Sequence, residues 1–562
     1  MNNTKDPLKP YGERSLNYII ENAIKKNWEL LAFSDIGGSN YKFSEVAELI
    51  EKLHILFEAA DVKPGDKVAL CGKNSSAWAM TFIACLTYGA VAVPILHEFK
   101  PDSVHNLVNH SDAKLLFADK AILDKLEENK LPNLVGAFYM MEEGIAFSRS
   151  KKLTDARQDL NELFGKKYPE NFSPQSICYF RDSPQDLALI NYTSGSTGEP
   201  KGVMLPFLSI WSNIRYSIDK LTFLKPGDGM VNMLPLGHLY GMVFEMLHPF
   251  VKGCNCNFLT KAPSPRVLIS AFAQIRPKLI ITVPLVIEKI IRANVFPKLQ
   301  TTSMKILLKI PIINNRIYAK IREKLVETFG GRIQEIIIGG APLNAEVESF
   351  LYRIKFPITV GYGMTECGPL ITYEPPKESR PHTVGRIVDR MEIKVDSPDP
   401  AHVPGNIMVK GDNVMRGYYK NEKATKEVFP KNDGWMNTGD MGLISPDGMI
   451  SISGRSKTMI LGPSGQNIYP EEIEQRINSM PFVAESLVID DDGKLVALIF
   501  PDFDTAKKKG IDRAQLDNVM AENLKTVNKE LEAYSRLNRF EIVEQEFEKT
   551  PKRSIKRFLY QR

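Results

Sequence analysis

Eleven consecutive residues concentrate the polar chemistry of this chain: Tyr192-Thr193-Ser194-Gly195-Ser196-Thr197-Gly198-Glu199-Pro200-Lys201-Gly202. Hydroxyls are interleaved with glycines, and a lysine closes the run. Backbone N–H groups and hydroxyls in such a loop can wrap phosphate oxygens while Lys201 adds positive charge. The run follows a short apolar stretch, residues 187–192, that reads as a buried strand. A flexible Ser/Gly linker has no need for a Pro-Lys-Gly ending in that place. The segment therefore reads as phosphate-binding, with Thr193, Ser194, Gly195, Ser196, Thr197, Gly198 and Lys201 as the contacting residues. It is not the common nucleoside-triphosphatase loop, which needs Gly-Lys-Ser/Thr. Here Lys201 precedes Gly202 and no Ser or Thr follows.

Four more segments follow in order: Gly339-Gly340-Ala341-Pro342-Leu343, Gly361-Tyr362-Gly363-Met364-Thr365-Glu366, Thr438-Gly439-Asp440 and Gly454-Arg455-Ser456-Lys457. With the loop, they resemble the adenylate-forming superfamily of acyl-CoA synthetases, firefly-type luciferases and peptide-synthetase adenylation domains. The resemblance runs over nearly the whole chain, and five motifs in one order are far harder to reach by chance than one.

The resemblance implies ATP, Mg²⁺ and coenzyme A as reactants or cofactors, and it implies a role for each segment. Gly339 and Gly340 let the backbone approach a flat base, with Ala341 and Pro342 completing an adenine-binding turn. Tyr362, followed by Gly363, offers a ring on which adenine can stack; the plain alternative is a core aromatic. Thr365 can hydrogen-bond the α-phosphate. Glu366 is a hard oxygen ligand of the kind Mg²⁺ takes beside substrate phosphates. Asp440 can accept both ribose hydroxyls, and Arg455 can donate to the same sugar. In the implied reaction a carboxylate attacks the α-phosphorus of ATP and pyrophosphate leaves. Mg²⁺, Lys201 and the loop hydroxyls offset the accumulating charge. A small C-terminal domain then turns about a hinge, here Lys457, to admit the thiol of coenzyme A.

The C-terminus departs from the family. A Lys-Thr-Pro-x-Gly-Lys type segment usually ends in a catalytic lysine that bridges acid and phosphate. Here the stretch is Lys549-Thr550-Pro551-Lys552-Arg553-Ser554-Ile555-Lys556-Arg557, and direct register puts Ser554 in the lysine's place. Serine cannot supply the charge. In an extended segment Lys552, Ser554 and Lys556 would point the same way, so Lys556, or else Lys552, is expected to take over. The plain alternative is two solvated lysines in a basic tail.

The acid is read from weaker signals. Met233-Leu234-Pro235-Leu236-Gly237-His238-Leu239-Tyr240-Gly241 precedes an apolar helix over residues 242–250. In the family this region lines the acyl side, so His238 and Gly241 are the pocket candidates; a structural histidine is the competing reading. Residues 276–290 and 465–474 are similar to long-chain fatty acyl-CoA synthetases. Fatty acyl-AMP ligases carry an insertion after the signature loop. Only eighteen residues separate Glu366 from Gly385 here, which favours coenzyme A as acceptor. The expectation is a ligase joining a long-chain fatty acid to coenzyme A. Its rivals are a ligase for aromatic or medium-chain acids and a nucleotide-binding homologue with reduced adenylation because of Ser554.

These residues need a scaffold. Helical spacing over residues 43–59 and 77–88 alternates with short apolar strands at 67–71, 91–95, 115–118, 187–192, 279–283 and 335–338. That alternation predicts an α/β fold with largely parallel sheets. Beyond about residue 385, short strands with Gly, Asp and Asn turns predict a β-rich subdomain. A proline-led helix at 470–480, a hairpin around Asp492-Gly493 and a charged helix at 512–531 predict a mobile α+β C-terminal domain. The expected boundary divides residues 1–454 from 455–562.

The chain is 562 residues long, too long for one core. Its net charge of +5 gives no case for nucleic acid. Six scattered cysteines imply no disulfide framework and fit a reducing cytoplasm. No apolar run reaches a membrane span, although a protein handling an apolar acid could rest on a membrane surface.

Overall fold

The computed structural model describes residues 14–140, 144–194, 200–299, 301–461, 467–550 and 555–562. The α/β alternation becomes an eight-stranded sheet. Its spatial order is Gly417–Tyr418, Pro200–Pro206, Leu187–Ser194, Val91–Ile95, Lys67–Cys71, Ala113–Ala118, Gly136–Tyr139 and Ile145–Ser148. The five strands from Leu187–Ser194 to Gly136–Tyr139 run parallel. The flanking strands are antiparallel.

Sequence accounts for the covering helices. In Phe43–Ala59 the side chains of Val46, Ile50 and Phe57 are buried. Its N-terminus is closed by Glu45, whose carboxylate accepts the Lys42 N–H at 2.7 Å, which satisfies a donor that the helix start would otherwise leave open. Ser76–Tyr88 starts at Ser75, whose hydroxyl accepts the Trp78 N–H at 3.2 Å as an N-cap. Nearly every side chain in this helix is buried. That all-round burial explains an apolar stretch with little amphipathic contrast.

A four-stranded sheet joins Gly229–Asn232, Asn255–Phe258, Leu31–Asp35 and Asn40–Lys42, and a parallel three-stranded sheet joins Leu279–Thr282, Glu335–Ile338 and Ile358–Val360. The β-rich region is a four-stranded antiparallel sheet of Met391–Asp396, Gly405–Gly411, Met436–Ile444 and Ile450–Arg455. The apolar stretch after Gly241 is helical, but its first part, Met242–Leu247, is a π-helix leading into His248–Val251.

The C-terminal domain has a core of its own, built on Ile473, Ile477, Val488, Ala497, Leu516 and Met520. The Asp492-Gly493 turn joins Val483–Asp491 to Lys494–Pro501 in antiparallel register. Asp512 accepts the Gln515 N–H at 2.8 Å and so caps the helix Arg513–Glu530. The helix Pro470–Ile477 and the turn after it rest on the larger domain. Gln475 donates to the Leu343 carbonyl at 2.8 Å, and Asn344 donates to the Ser479 hydroxyl at 2.6 Å.

Candidate active site

The first motif spans two strands paired antiparallel, Leu187–Ser194 and Pro200–Pro206. Thr193 stands opposite Lys201 in the ladder, and Ser194 opposite Pro200. Gly195, Ser196, Thr197 and Gly198 lie outside the described residues, as does the side chain of Ser194. Next to the hairpin, the edge strand Gly417–Tyr418 pairs with Met204 and Val203. That pairing brings Tyr418 to the lysine: the Lys201 ammonium lies 5.2 Å from the ring centroid, within the range of a cation–π contact.

The Tyr418 hydroxyl donates to the Glu366 carboxylate at 2.9 Å. Burial, reinforced by the charge of Glu366, pushes the tyrosine's titration well up, so it stays protonated and donating. The Glu366 carbonyl accepts the Met415 N–H at 2.8 Å. Thr365 and Glu366 share the short turn Thr365–Cys367. Gly363 lets this turn fold back, since a Cβ there would stand 2.1 Å from the Pro369 carbonyl oxygen. Lys201, Tyr418, Thr365 and Glu366 therefore form one partly solvent-open cluster.

A second cluster centres on Asp440, which is only 6% exposed. Its carboxylate accepts the Tyr362 hydroxyl at 2.6 Å and pairs with the Arg455 guanidinium at 3.3 Å. The arginine arrives by register, because Asp440 and Arg455 are cross-strand partners, and such partners face each other closely. Burial pushes the Asp440 carboxyl above the usual carboxylate range; Arg455 and the Tyr362 hydrogen bond pull the other way. Tyr362 is half-buried. Its phenol ties the segment that would face the base to the carboxylate that would face the sugar.

The Gly339–Gly340 turn caps the strand Glu335–Ile338. Gly340 has a φ of 85°, a conformation that glycine adopts without strain. Ala341 and Pro342 are exposed beside it. The Tyr240 hydroxyl donates to the Ile337 carbonyl at 3.2 Å, in the strand that leads into this turn.

The segment of residues 233–241 is held from three directions. Asn74 donates to the Leu234 carbonyl at 2.6 Å and accepts the Leu236 N–H at 2.8 Å. Asn191 donates to the Gly237 carbonyl at 3.0 Å. Glu245, on the π-helix, accepts the N–H groups of Met233 and Leu234 at 3.0 and 2.8 Å. Gly241 packs where a Cβ would come 3.0 Å from that of Leu234. His238 is half-buried at the entry to the helix that follows.

Comparison with known proteins decides the family. Residues 20–419 match the AMP-binding enzyme family, and residues 457–561 match the AMP-binding enzyme C-terminal domain. The chain belongs to the AMP-binding enzyme family.

Among curated relatives of this AMP-binding enzyme is the peroxisomal long chain acyl-CoA synthetase 6 of Arabidopsis thaliana. It is 29% identical, covering 81% of this chain and 68% of that protein. The long-chain-fatty-acid–CoA ligase 6 of Mus musculus is 28% identical, covering 86% and 73%. Among solved structures, the O-succinylbenzoate coenzyme A synthetase of Bacillus subtilis with ATP and magnesium superposes with a TM-score of 0.72. It is 21% identical, covering 96% of this chain and 98% of that one. An anthranilate CoA ligase bound to anthranoyl-AMP gives 0.77 at 19% identity, covering 97% and 96%. The expectation of an α/β adenylate-forming fold with a separate C-terminal domain is thereby borne out.

The AMP-binding enzyme's donor set fits Mg²⁺ of the substrate-bridging kind. Among the described residues no three His, Cys, Asp or Glu side chains cluster into a metal cage. Glu366 offers a single, partly open carboxylate oriented by Tyr418, which suits an ion that takes its remaining oxygens from phosphates and water.

Two expected residues lie apart from these clusters. Lys457 sits in an exposed turn just after Arg455. Lys556 is held inside the C-terminal domain, its ammonium 3.2 Å from the Glu548 carboxylate. Lys549 and Ile555 form an antiparallel bridge, so the ends of this stretch lie side by side rather than drawn apart as in an extended strand. Lys552 and Ser554 lie outside the described residues. Arg557 pairs with Glu474 and lies 3.6 Å from Glu471.

Sequence reading missed Tyr418, Glu245 and Asn74. Tyr418 stands 52 positions from Glu366, and Asn74 stands 160 positions from Leu234. No local spacing links them. Glu245 carried a usable signal, being the single acid within the apolar stretch 242–250. A charge in such a run must find a partner when buried.

Proposed function

We propose that this AMP-binding enzyme is an acid–CoA ligase that adenylates a long-chain fatty acid and passes the acyl group to coenzyme A. The observation that carries the reading is the pair of coupled clusters. Lys201, Tyr418 and Glu366 present a cation, a hydroxyl and a carboxylate where a triphosphate would lie. Asp440, Tyr362 and Arg455 present a paired carboxylate where a ribose would lie. The names of the curated relatives support the long-chain acid and the coenzyme A acceptor.

In this reading the substrate carboxylate attacks the α-phosphorus, and the bond from that phosphorus to the bridging oxygen of pyrophosphate breaks. Lys201 and the loop hydroxyls take up charge on the phosphoryl oxygens, and Thr365 binds the α-phosphate. Glu366 would hold Mg²⁺, which would supply electrophilic stabilisation of the charge that develops as pyrophosphate leaves. Asp440 fixes the ribose, and Tyr362 and Arg455 hold Asp440. The thiolate of coenzyme A then attacks the acyl carbon, and AMP leaves. The segments 233–238 and 239–241 frame the acyl side with His238 and Gly241. The C-terminal domain, with its boundary at 454/455, turns about Lys457 between the two steps and delivers Lys556 to the first.

The test is pyrophosphate release from ATP and Mg²⁺ with a panel of acids, followed by acyl-CoA formation. Release with long-chain acids and conversion to the thioester supports the reading. Release only with benzoates or short acids reassigns the acid. ATP binding without turnover reduces the protein to a nucleotide-binding homologue.

A further inference from the structure

Three helices between residues 296 and 328 touch the core only at its edge, where Phe296, Leu299, Tyr318, Ile321 and Val326 pack part-buried against it. Phe296–Leu299 and Thr302–Leu307 have no buried residue. The eighteen-residue helix Pro311–Thr328 buries only Leu325. Helices in proteins are normally held by an apolar face packed on something. Here the aliphatic side chains at the joint between the second and third helices face water. Ile312 is 71% exposed and Ile306 60%, with Leu307 and Ile310 exposed beside them. An aliphatic cluster left open at a helix joint marks a surface that something else covers.

The charges around it identify the partner. From Lys289 to Arg322 the sequence has eight Lys and Arg and no Asp or Glu. Lys305 and Lys309 alternate with the exposed aliphatics, and Arg316 and Lys320 follow on the third helix. None of these four is in an ion pair among the described residues, although such pairs are common elsewhere on this surface, as at Lys525–Glu522 and Arg215–Asp219. Aliphatic tips ringed by lysines match the interface of an anionic bilayer. The tips enter the acyl boundary, the stems lie along it, and the ammonium groups reach the headgroups. A protein partner would more typically meet aromatic anchors at such a cluster's centre, and the four exposed tips are all Ile or Leu.

We infer that the joint of Thr302–Leu307 and Pro311–Thr328 docks this enzyme on an anionic lipid surface. The joint is linked to the site through the helix Pro284–Asn294, which follows the strand Leu279–Thr282. In that helix Glu288 accepts the Asn344 N–H, just beyond the Gly339–Gly340 turn, at 2.8 Å. Docking itself stands on the surface alone. Its use, to collect an acid dissolved in the bilayer, rests on the fatty-acid reading above.

The experiment is co-sedimentation of the full chain with vesicles of phosphatidylcholine, with or without about one-third phosphatidylglycerol. The expected result is binding to the anionic vesicles only, weakening as salt rises above about 0.1 M. Lys305→Gln with Lys309→Gln should weaken it about thirtyfold, and Ile306→Asp with Ile312→Asp should abolish it. All four changes lie on the exposed surface, so pyrophosphate release with a water-soluble acid should persist and certify the fold. Absence of wild-type binding, equal binding to neutral vesicles, or equal binding by either double variant overturns the inference. So does a dimer dissolved by Ile312→Asp with no lipid binding, which would assign the face to a second copy of the chain. Lipid binding without turnover of any acid would instead sink the fatty-acid reading and leave the docking surface standing.

Discussion

The Glu366 and Asp440 clusters and the C-terminal tail are both rich in charge, but their charges have different partners. Asp440 is gripped by Tyr362 and by its cross-strand partner Arg455, and Glu366 by Tyr418. In the tail, Lys556 is engaged by Glu548 and Arg557 by Glu474, inside its own domain. A preorganised cluster loses little when its ligand arrives, whereas a group tied elsewhere must first be released. For the proposed reaction the difference separates two requirements: nucleotide binding uses clusters already assembled, and adenylation needs the tail rearranged.

Substitutions can break this contrast. The largest effect is expected from Glu366→Gln, about a thousandfold loss in kcat for pyrophosphate release, with the melting temperature little changed because the side chain is partly exposed. Lys556→Ala comes next, losing about a hundredfold in the same assay while ATP affinity measured by calorimetry stays put. Unchanged turnover in that variant would remove the lysine from the mechanism, and the same assay on Lys552→Ala would then decide between the two lysines. Asp440→Asn should weaken ATP binding about tenfold or more, the worth of a hydrogen bond to a charged group. Because burial raises the Asp440 carboxyl's titration, protonation comes early as pH falls. Wild-type ATP affinity should therefore fall at a higher pH than an ordinary carboxylate would impose, and the Asp440→Asn variant should lack that step. The smallest effect sharpens the comparison from the other side. Glu548→Gln frees Lys556 from an exposed pair worth well under about 1 kcal/mol, so pyrophosphate release should rise about twofold.

Much of the scaffold was legible because it follows period and punctuation. The helix Phe43–Ala59 and the strands Lys67–Cys71 and Val91–Ile95 fall where apolar spacing puts them. The Asp492-Gly493 hairpin follows from its turn residues. The site was legible where chemistry is written in one short segment, as with Asp440 and Arg455, which cross-strand register brings together. It was illegible where a tertiary partner matters. Nothing near Lys201 in sequence points to the ring of Tyr418, and nothing near Met233 points to Glu245's carboxylate. The π-helix at Met242–Leu247 has the same apolar content as an ordinary helix, so composition alone reads it as one. The exposed joint of the helices Thr302–Leu307 and Pro311–Thr328 escaped for the opposite reason: Ile306, Leu307, Ile310 and Ile312 read as core residues, but only the later part of the third helix, at Tyr318, Ile321, Leu325 and Val326, reaches the core.

The most direct measurement is a calorimetric titration of ATP into the protein with and without Mg²⁺, repeated on Glu366→Ala. Affinity at least about tenfold tighter with the metal in the wild type, and no such gain in the variant, is the predicted result. Identical affinities in all four titrations, or no ATP binding at all, would contradict the nucleotide cradle on which the proposed reaction depends.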